Sequence, residues 1–273
     1  MSRAREQAVP PIFQFVAEAK PMPLDLAWLQ SQLPDRRIEW REVIGSTMTE
    51  AGQLAAAGAL SGTVVGAEEQ TSGHGRQGRS WHSEAGSGLY ASIILRRQYA
   101  PDTLPVVTLA LGLAVQEAIL KSTNLKCDLR WPNDLLIQSK KCAGILTQLD
   151  GSAIIAGIGI NVNHSSFPAE LGGIATSLRL ACGRAQSRER LLVELLASVD
   201  TYCDLLEKEG RVPIIEAFTH ASSYVSGLRV CVDQDGSEMR GVTAGLNESG
   251  FLLLRGDDGT KRVIVAGGVR PCS

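Results

Sequence analysis

Residues 127–163 read CDLRWPNDLLIQSKKCAGILTQLDGSAIIAGIGINVN, and this stretch decides the class of fold. It contains four short apolar runs separated by turn residues: CDLRW, DLLIQ, KKCAGILTQLD and SAIIAGIGINVN. Short apolar runs that are bounded by turn residues are typical of β-strands. The stretch therefore predicts four consecutive strands in a mainly antiparallel sheet.

Helical patterns occur on both sides of this stretch. Apolar residues recur at helical spacing in LDLAWLQSQL, STMTEAGQLAAAGAL, TLPVVTLALGLAVQEAIL, SRERLLVELLASVDTYCDLLEKEG and VPIIEAFTHAS. Three more strand patterns, RIEWREVI, GTVVGAEE and SGLYASIIL, lie among the first three helices. Helices that interleave with such strands predict an α+β domain rather than a doubly wound parallel sheet.

The two ends of the chain differ from this central part. The first residues are rich in proline and lack periodicity. From about Ser226 the chain contains four or five short strand patterns with polar turns at DQDG, LNESG and GDDG, which predict a small β-barrel or meander. We therefore expect a tail over residues 1–23, a main domain over residues 24–224 and a small β domain over residues 225–273.

The composition is that of an ordinary soluble globular protein. The 273 residues are 44% hydrophobic and 21% charged, and the net charge of −2 gives no indication of nucleic-acid binding. The N-terminus lacks a signal-peptide core, and no apolar run approaches the span of a bilayer. Six scattered cysteines and four scattered histidines predict reduced thiols, with no disulfide framework and no structural zinc site. We expect a cytoplasmic protein without membrane attachment.

The stretch GHGRQGRSW, residues 73–81, combines glycines with two arginines. Its first six residues match the G-x-G-x-x-G pattern of dinucleotide-binding turns, but the following RSWHSEAGSG has no helical period, so that interpretation fails. A Walker loop is excluded because no Gly-Lys-Ser/Thr closes the stretch. Glycines let backbone N–H groups approach a ligand, and arginine pairs with phosphate or carboxylate. The loop alone does not distinguish an anion-binding loop from an ordinary exposed one.

Taken together, five motifs resemble those of the biotin protein ligases. The family pattern is S-T-N, a G-R-G-R-x-G-R loop with a following Trp, K-W-P-N-D, A-G-I-L and G-x-G-x-N. The matching segments here are Ser46–Met48, Gly73–Trp81, Arg130–Asp134, Ala143–Leu146 and Gly157–Asn161. The resemblance implies a mixed sheet flanked by helices, as in class II aminoacyl-tRNA synthetases and biotin ligases, and an SH3-like β-barrel at the C-terminus.

The resemblance also implies the reaction. The biotin carboxylate attacks the α-phosphate of ATP, which releases pyrophosphate and gives biotinyl-5′-AMP. A lysine of the biotin carboxyl carrier domain of acetyl-CoA carboxylase then displaces AMP, and this acceptor is expected to dock through a sheet edge. The first step brings two anions together and needs cations and Mg²⁺.

The resemblance assigns roles to individual residues. Expected catalytic cations are Arg76, Arg79, Arg130 and Lys141. Expected biotin contacts are Ser46, Thr47, Gln70, Gly73, Arg76, Gly88, Leu89, Tyr90, Arg130, Gly144, Gly157 and Gly159. Expected ATP and adenylate contacts are Arg76, Arg79, Trp81, Asn133 and Asn161, and Asp134 is the expected Mg²⁺ ligand. The glycines and Asn161 are also compatible with ordinary strand and turn geometry.

Three positions depart from the family pattern. Met48 replaces the asparagine of S-T-N, His74 replaces the first arginine of the loop, and Arg130 replaces the lysine of K-W-P-N-D. Arginine keeps the positive charge but cannot act as a base, so we expect Arg130 to act electrostatically.

Two alternative functions remain open at this point. Lipoate or octanoate ligases and transferases share the catalytic fold, but they lack the glycine-arginine loop. A non-catalytic biotin sensor is compatible with the three departures. Only forty-five residues precede Ser46, without a basic recognition helix, so we expect no operator binding. A homodimer is left open.

Overall fold

The computed structural model describes residues 23–234 and 237–272. All but the last residue of the predicted tail, residues 1–23, lies outside the described residues. The helices are α1 (Leu26–Gln32), α2 (Thr47–Ala56), α3 (Leu104–Thr123), α4 (Ala169–Gly172), α5 (Leu178–Cys182), α6 (Arg188–Glu209) and α7 (Arg211–Ala221). The strands of the main sheet are β1 (Ile38–Ile44), β2 (Val64–Gln70), β3 (Gly88–Leu95), β4 (Asp128–Arg130), β5 (Asp134–Ile137), β6 (Lys140–Asp150) and β7 (Ala153–Asn161).

These seven strands form one mixed sheet in the order β1-β2-β3-β7-β6-β5-β4. Only β1 and β2 pair in parallel, because helix α2 carries the chain back between them, and the other neighbours are antiparallel. The predicted α+β class and the predicted antiparallel run over residues 127–163 are therefore confirmed.

Helices cover both faces of the sheet. Successive strand residues point to opposite faces, so Val64 packs in the larger core with α3 and α6, whereas Val65 packs against α2. Ile154 and Ile155 divide in the same way on β7. The candidate site described below lies on the α2 face.

Helix α3 is almost entirely apolar over its first three turns. Its residues from Val106 to Val115 are all buried, and it packs against α6 and the sheet. Contrary to the sequence expectation, this helix is long and apolar enough to cross a membrane by length and composition alone, and it is the one such helix among the described residues. Its burial in the protein core accounts for that composition.

The C-terminal segment forms a second sheet. Strands β8 (Ser226–Gln234), β9 (Ser237–Leu246), β10 (Leu252–Arg255), β11 (Lys261–Ile264) and β12 (Gly268–Pro271) pair antiparallel in the order β11-β10-β9-β8-β12. The core side chains of this sheet are continuous with the main core. The indole nitrogen Nε1 of Trp131 donates to the carbonyl oxygen of Gly250 at 2.9 Å, which ties the two sheets together. The division at residues 224/225 stays a prediction.

The expectation of no disulfide is wrong. Cys231 and Cys272 form a disulfide with a Cα–Cα distance of 5.2 Å. Cys231 lies on β8, and Cys272 directly follows β12, which pairs with β8. The two cysteines are 41 residues apart in sequence, so only this non-local strand pairing brings them together.

Candidate active site

An open cleft of about 460 Å³ lies where the first turn of α2, the basic loop of residues 73–81 and strands β6 and β7 meet. We call it the first cleft. Of the predicted residues it brings together Ser46, Thr47, Gln70, Arg76, Trp81, Asn133, Lys141, Gly144, Gly157 and Gly159.

A hydrogen-bond network lines one end of the first cleft. The side-chain carbonyl oxygen Oε1 of Gln70 accepts from both the backbone N–H and the hydroxyl of Thr47, at 2.9 and 3.0 Å. The amide Nε2 of Gln70 donates to the hydroxyl of Ser83 at 3.0 Å, and the hydroxyls of Thr47 and Ser92 are 2.8 Å apart. Residues from four different segments are therefore held as one polar wall.

Glycines on β6 and β7 form the floor of this cleft. Gly144 pairs with Gly159 across the two strands, and Gly157 lies two residues before Gly159 on the same face. The Trp81 indole lies on this floor: a Cβ atom at Gly159 would be 2.5 Å from the ring, and one at Gly144 would be 2.9 Å from it. At Gly157 a Cβ would be 2.7 Å from the sulfur of Met48. Because these three glycines have no side chains, the floor of the cleft leaves room for a flat ring.

Trp81 therefore lies on the predicted biotin floor rather than only beside a nucleotide. The ammonium of Lys141 is 5.1 Å from the centre of its ring, which is a cation–π distance. The indole Nε1 is buried and has no hydrogen-bond partner within the described chain. A ligand that uses the floor must displace the indole or stack against it.

The basic loop has a defined backbone. The backbone N–H of Gly75 donates to the carbonyl oxygen of Arg79 at 2.6 Å. The backbone N–H of Trp81 donates to the carbonyl oxygen of Gly73 at 2.9 Å. At Gly73 a Cβ would lie 2.7 Å from the carbonyl oxygen of Trp81, so a larger residue would open this closure. The loop encloses a tight turn over Arg76–Gly78, in which Gln77 and Gly78 have positive φ angles of 57° and 72°.

The two loop arginines have different environments. Arg76 is partly buried and donates to the Oδ1 atom of Asn133 at 3.2 Å. Burial lowers the pKa of the Arg76 guanidinium, the nearby Asp134 opposes this, and Arg79 adds to it. Arginine nevertheless stays protonated at neutral pH. Arg79 is exposed, and its Nη2 atom lies 3.4 Å from the Oε1 atom of Gln77.

Three charged groups from the adjacent strands β4, β5 and β6 meet: Arg130, Asp134 and Lys141. The Asp134 carboxylate accepts from the guanidinium of Arg130 at 2.6 Å and from the ammonium of Lys141 at 2.6 Å. Burial acts to raise the pKa of the Asp134 carboxyl, but Lys141 and Arg130 together hold it below its usual range. The cluster therefore carries two positive charges and one negative charge.

A second cleft of about 910 Å³ lies between this cluster, the basic loop and the C-terminal sheet. Arg79, Arg130, Asp134 and Arg270 line it. The two clefts share a boundary made of Gly75, Arg76, Trp81, Asn133 and Lys141. The predicted cations thus lie either on the boundary or in the second cleft.

Several predicted contacts are placed elsewhere. Gly88, Leu89 and Tyr90 are buried on β3 and line neither cleft, and the Tyr90 hydroxyl contacts His164 instead. The amide of Asn161 donates to the carbonyl of Thr176 at 3.0 Å and that of Lys141 at 3.4 Å. It positions the chain around Lys141, and the geometry gives no support for a nucleotide contact.

Gly73 closes the basic loop and does not line the first cleft.

Sequence reasoning missed other residues of the site. Ser83 and Ser92 complete the polar wall, and Leu146 lines the first cleft beside Met48. The alternation of strand residues could have identified Leu146, which lies two positions after Gly144 on the same face of β6. No sequence pattern points to Ser83, because it lies in a loop.

The chain is similar to several known proteins. The model of the biotin/lipoate A/B protein ligase family matches residues 40–165. The bifunctional ligase/repressor BirA of Bacillus subtilis is 34% identical over 258 residues, covering 87% of this chain and 75% of that protein. The biotin–[acetyl-CoA-carboxylase] ligase of Mycobacterium tuberculosis is 32% identical over 257 residues, covering 90% and 94%. The structure of the Aquifex aeolicus biotin protein ligase in complex with biotin and ATP aligns with a TM-score of 0.78 at 29% identity, covering 86% of this chain and 99% of that one.

Proposed function

The chain belongs to the biotin protein ligases of the biotin/lipoate A/B protein ligase family, and we propose that it joins biotin to a carrier-domain lysine in two steps at the paired clefts. In the first step a biotin carboxylate oxygen bonds to the α-phosphorus of ATP, and the bond to pyrophosphate breaks. In the second step the lysine amine bonds to the carboxyl carbon, AMP leaves, and the amine loses a proton.

The shared boundary of the two clefts is the observation that supports this function. A carboxylate that extends from a ring in the first cleft meets a phosphate in the second cleft at Arg76, Asn133 and Lys141. Alignment of the two reacting groups at one boundary is the main requirement of such a step. We assign the first cleft to biotin and the second to ATP, which are the two ligands of the similar Aquifex protein.

The lining of the first cleft suits a fused bicyclic ring. Gly144, Gly157 and Gly159 give a flat floor, and the polar wall around Thr47 and Gln70 offers hydrogen-bonding groups at one end. A ureido group presents both donors and an acceptor, so the polar wall is its natural partner. The extended acyl chain of lipoate presents no such group, which favours biotin over the lipoate alternative.

The cations of the boundary supply the electrostatics. Arg76 and Lys141 lie on the boundary at which the two anions would meet, and Arg79 and Arg130 lie in the second cleft. Fixed cations at this point offset the repulsion between carboxylate and phosphate and stabilise the charge that develops on the phosphate. Arg130 acts through its charge, since arginine does not deprotonate in proteins.

The residues present do not fit a protein-held Mg²⁺ at Asp134. Both carboxylate oxygens accept from cations, Oδ2 from Arg130 and Oδ1 from Lys141, each at 2.6 Å. A hard cation needs oxygens that are not already paired with positive charge. We therefore retain Mg²⁺ only as the counter-ion of ATP, and we assign Asp134 to holding Arg130 and Lys141 in place.

We propose the biotin carboxyl carrier domain of acetyl-CoA carboxylase as the acceptor. The support is the name of the similar Mycobacterium tuberculosis enzyme, a biotin–[acetyl-CoA-carboxylase] ligase. The main sheet has β1 and β4 at its edges, and either edge can pair with a strand of the acceptor.

We further propose a cytoplasmic location and no binding to nucleic acid, in line with the net charge of −2. Sedimentation analysis will determine whether the protein is a homodimer.

Biotin-dependent exchange between ATP and labelled pyrophosphate tests the first step. We expect exchange with biotin and none with lipoate. Exchange with lipoate alone would show that the lipoate alternative is right. Transfer of label to an apo-carrier domain tests the second step, and tight biotin binding without transfer would identify a biotin sensor instead.

A further inference from the structure

Three potential metal ligands converge outside the two clefts. One nitrogen of His82, one nitrogen of His164 and one carboxylate oxygen of Glu84 lie within 4.8 Å of one another. None of the three residues lines the first or second cleft. His82 and Glu84 directly follow the basic loop, whereas His164 follows strand β7. Because the two segments are far apart in sequence, the spacing of the histidines could not reveal this cluster.

The buried His164 has unused bonding capacity. Its side chain has no exposed surface, and its Nδ1 atom has no partner in the described structure. The Nε2 atom is 3.2 Å from the hydroxyl of Tyr90, which also donates to the backbone carbonyl of Glu84 at 3.1 Å. The phenol donates its single proton to this carbonyl, so the Nε2–H of the neutral imidazole donates to the phenol oxygen, and the lone pair of Nδ1 is left without a donor. Buried polar groups are rarely left in this state.

The His164 ring is also held firmly. The ring of Phe167 stacks on it at a centroid distance of 5.0 Å and an interplanar angle of 15°. The hydroxyl of Ser177 donates to the His164 carbonyl at 2.7 Å. The stacking fixes the ring plane, the Ser177 bond fixes the main chain, and the Tyr90 contact to the other ring nitrogen is of the kind that orients histidine ligands in metal sites. His82 is half-buried and Glu84 is exposed, so an ion can reach the cluster from solvent.

We propose that His82, Glu84 and His164 bind one divalent transition-metal ion of the zinc class. Two imidazoles and one carboxylate form a ligand set that suits Zn²⁺, whereas Mg²⁺ and Ca²⁺ prefer oxygen ligands alone. Two atoms that each lie about 2.1 Å from one ion are at most about 4.2 Å apart. Small rotations of the exposed Glu84 and the half-buried His82 close the cluster to this size, and water completes the coordination.

A bound ion would link two segments of the chain next to the first cleft. It joins the segment that follows the basic loop to the end of β7, which is the strand that carries Gly157 and Gly159. His82 is the residue next to Trp81, so metal binding restrains the movement of the indole away from the floor of the first cleft. This inference does not depend on the identity of the ligands in that cleft.

Titration of the full-length, chelator-treated protein with Zn²⁺, followed by calorimetry, tests the site. We expect one ion per chain. The variants His82→Ala and Glu84→Ala should each weaken binding by at least about tenfold, because each removes one of three protein ligands. His220→Ala is the matched control, since His220 is exposed on α7, and it should bind as the unmodified protein does.

A thermal-unfolding series gives a second measurement. Zn²⁺ should raise the melting temperature of the unmodified protein and of His220→Ala, because the assembled ligand set exists only in the folded state. It should not raise that of the double variant His82→Ala/Glu84→Ala, whose melting temperature without metal shows that it is folded. Equal zinc affinity in the double variant and the unmodified protein, or no saturable binding, would overturn the proposal.

Discussion

Arg130 stands where the family motif has lysine, and its contacts explain why the exchange can be tolerated. It makes a single close contact with Asp134, from Nη2 to Oδ2, rather than a two-pronged one. A lysine ammonium can make a single contact of this kind, whereas it cannot replace a bidentate guanidinium. We therefore propose that the positive charge at this position, and not the shape of the group, is the property that matters for the proposed reaction.

We expect Arg130→Lys to retain most of the exchange activity and Arg130→Ala to lower its rate by about 10²-fold, the usual effect of losing one group that stabilises developing charge. Alanine would also leave Asp134 paired with Lys141 alone. Biotin-dependent ATP–pyrophosphate exchange measures both variants. Full activity in Arg130→Ala would show that the electrostatic assignment is wrong.

Within the basic loop, Arg76 and Arg79 form a natural comparison. Arg76 is partly buried on the boundary of both clefts and donates to Asn133, whereas Arg79 is exposed and lines only the second cleft. Arg76→Ala should therefore accelerate the release of biotinyl-5′-AMP about tenfold or more, with a smaller effect on biotin binding. Arg79→Ala should have the smaller effect on release. Stopped-flow measurements give the rate of biotinyl-5′-AMP release, and equilibrium titration gives the affinity for biotin. If Arg76→Ala weakens the retention of biotinyl-5′-AMP and the binding of biotin by the same factor, Arg76 does not contact the phosphate.

At the scale of the element, strand β7 provides a test of the cleft floor. A methyl group at Gly159 would overlap the Trp81 indole and occupy the surface on which the biotin ring is proposed to lie. Gly159→Ala should weaken biotin binding by at least about tenfold, or about 1.4 kcal/mol. Gly173→Ala is the control, because a Cβ there meets no atom within 4 Å. Isothermal titration with biotin measures both, and unchanged affinity in Gly159→Ala would refute the floor assignment.

The strands and the longer helices were largely predictable from the sequence, because each carries its own periodic pattern, whereas the short helices α4 and α5 were not predicted. The two alternating faces of β7, for example, follow from side-chain direction alone. The position of Trp81 did not follow, because it depends on where a loop folds back over a distant strand. The orientation of the Asn161 amide and the Cys231–Cys272 pairing were unpredictable for the same reason. The motifs contain most of the residues that line the first cleft, but the motifs alone did not show which of their residues face it.

At the scale of the whole molecule, the disulfide and the proposed cytoplasmic location imply opposite redox states for the same two cysteines. Cytoplasmic reductants keep most thiols reduced, whereas Cys231 and Cys272 are paired in this structure. The C-terminal sheet has other means of holding its last strand: β12 pairs with β8 through four residue pairs, and Val269 is buried in the shared core. The fold should therefore survive without the disulfide.

Reduction should lower the free energy of unfolding by at most about 4 kcal/mol, the loop-closure value for cysteines 41 residues apart, and leave biotinylation unchanged. The activity should persist because neither cysteine lines the two clefts. Denaturant unfolding of the oxidised protein, the reduced protein and Cys272→Ser measures the stability, and thiol counting before and after reduction reports the bond. The variant should match the reduced protein. A reduced protein that loses its structure or its activity would show that the disulfide is required, and the cytoplasmic assignment would then be untenable.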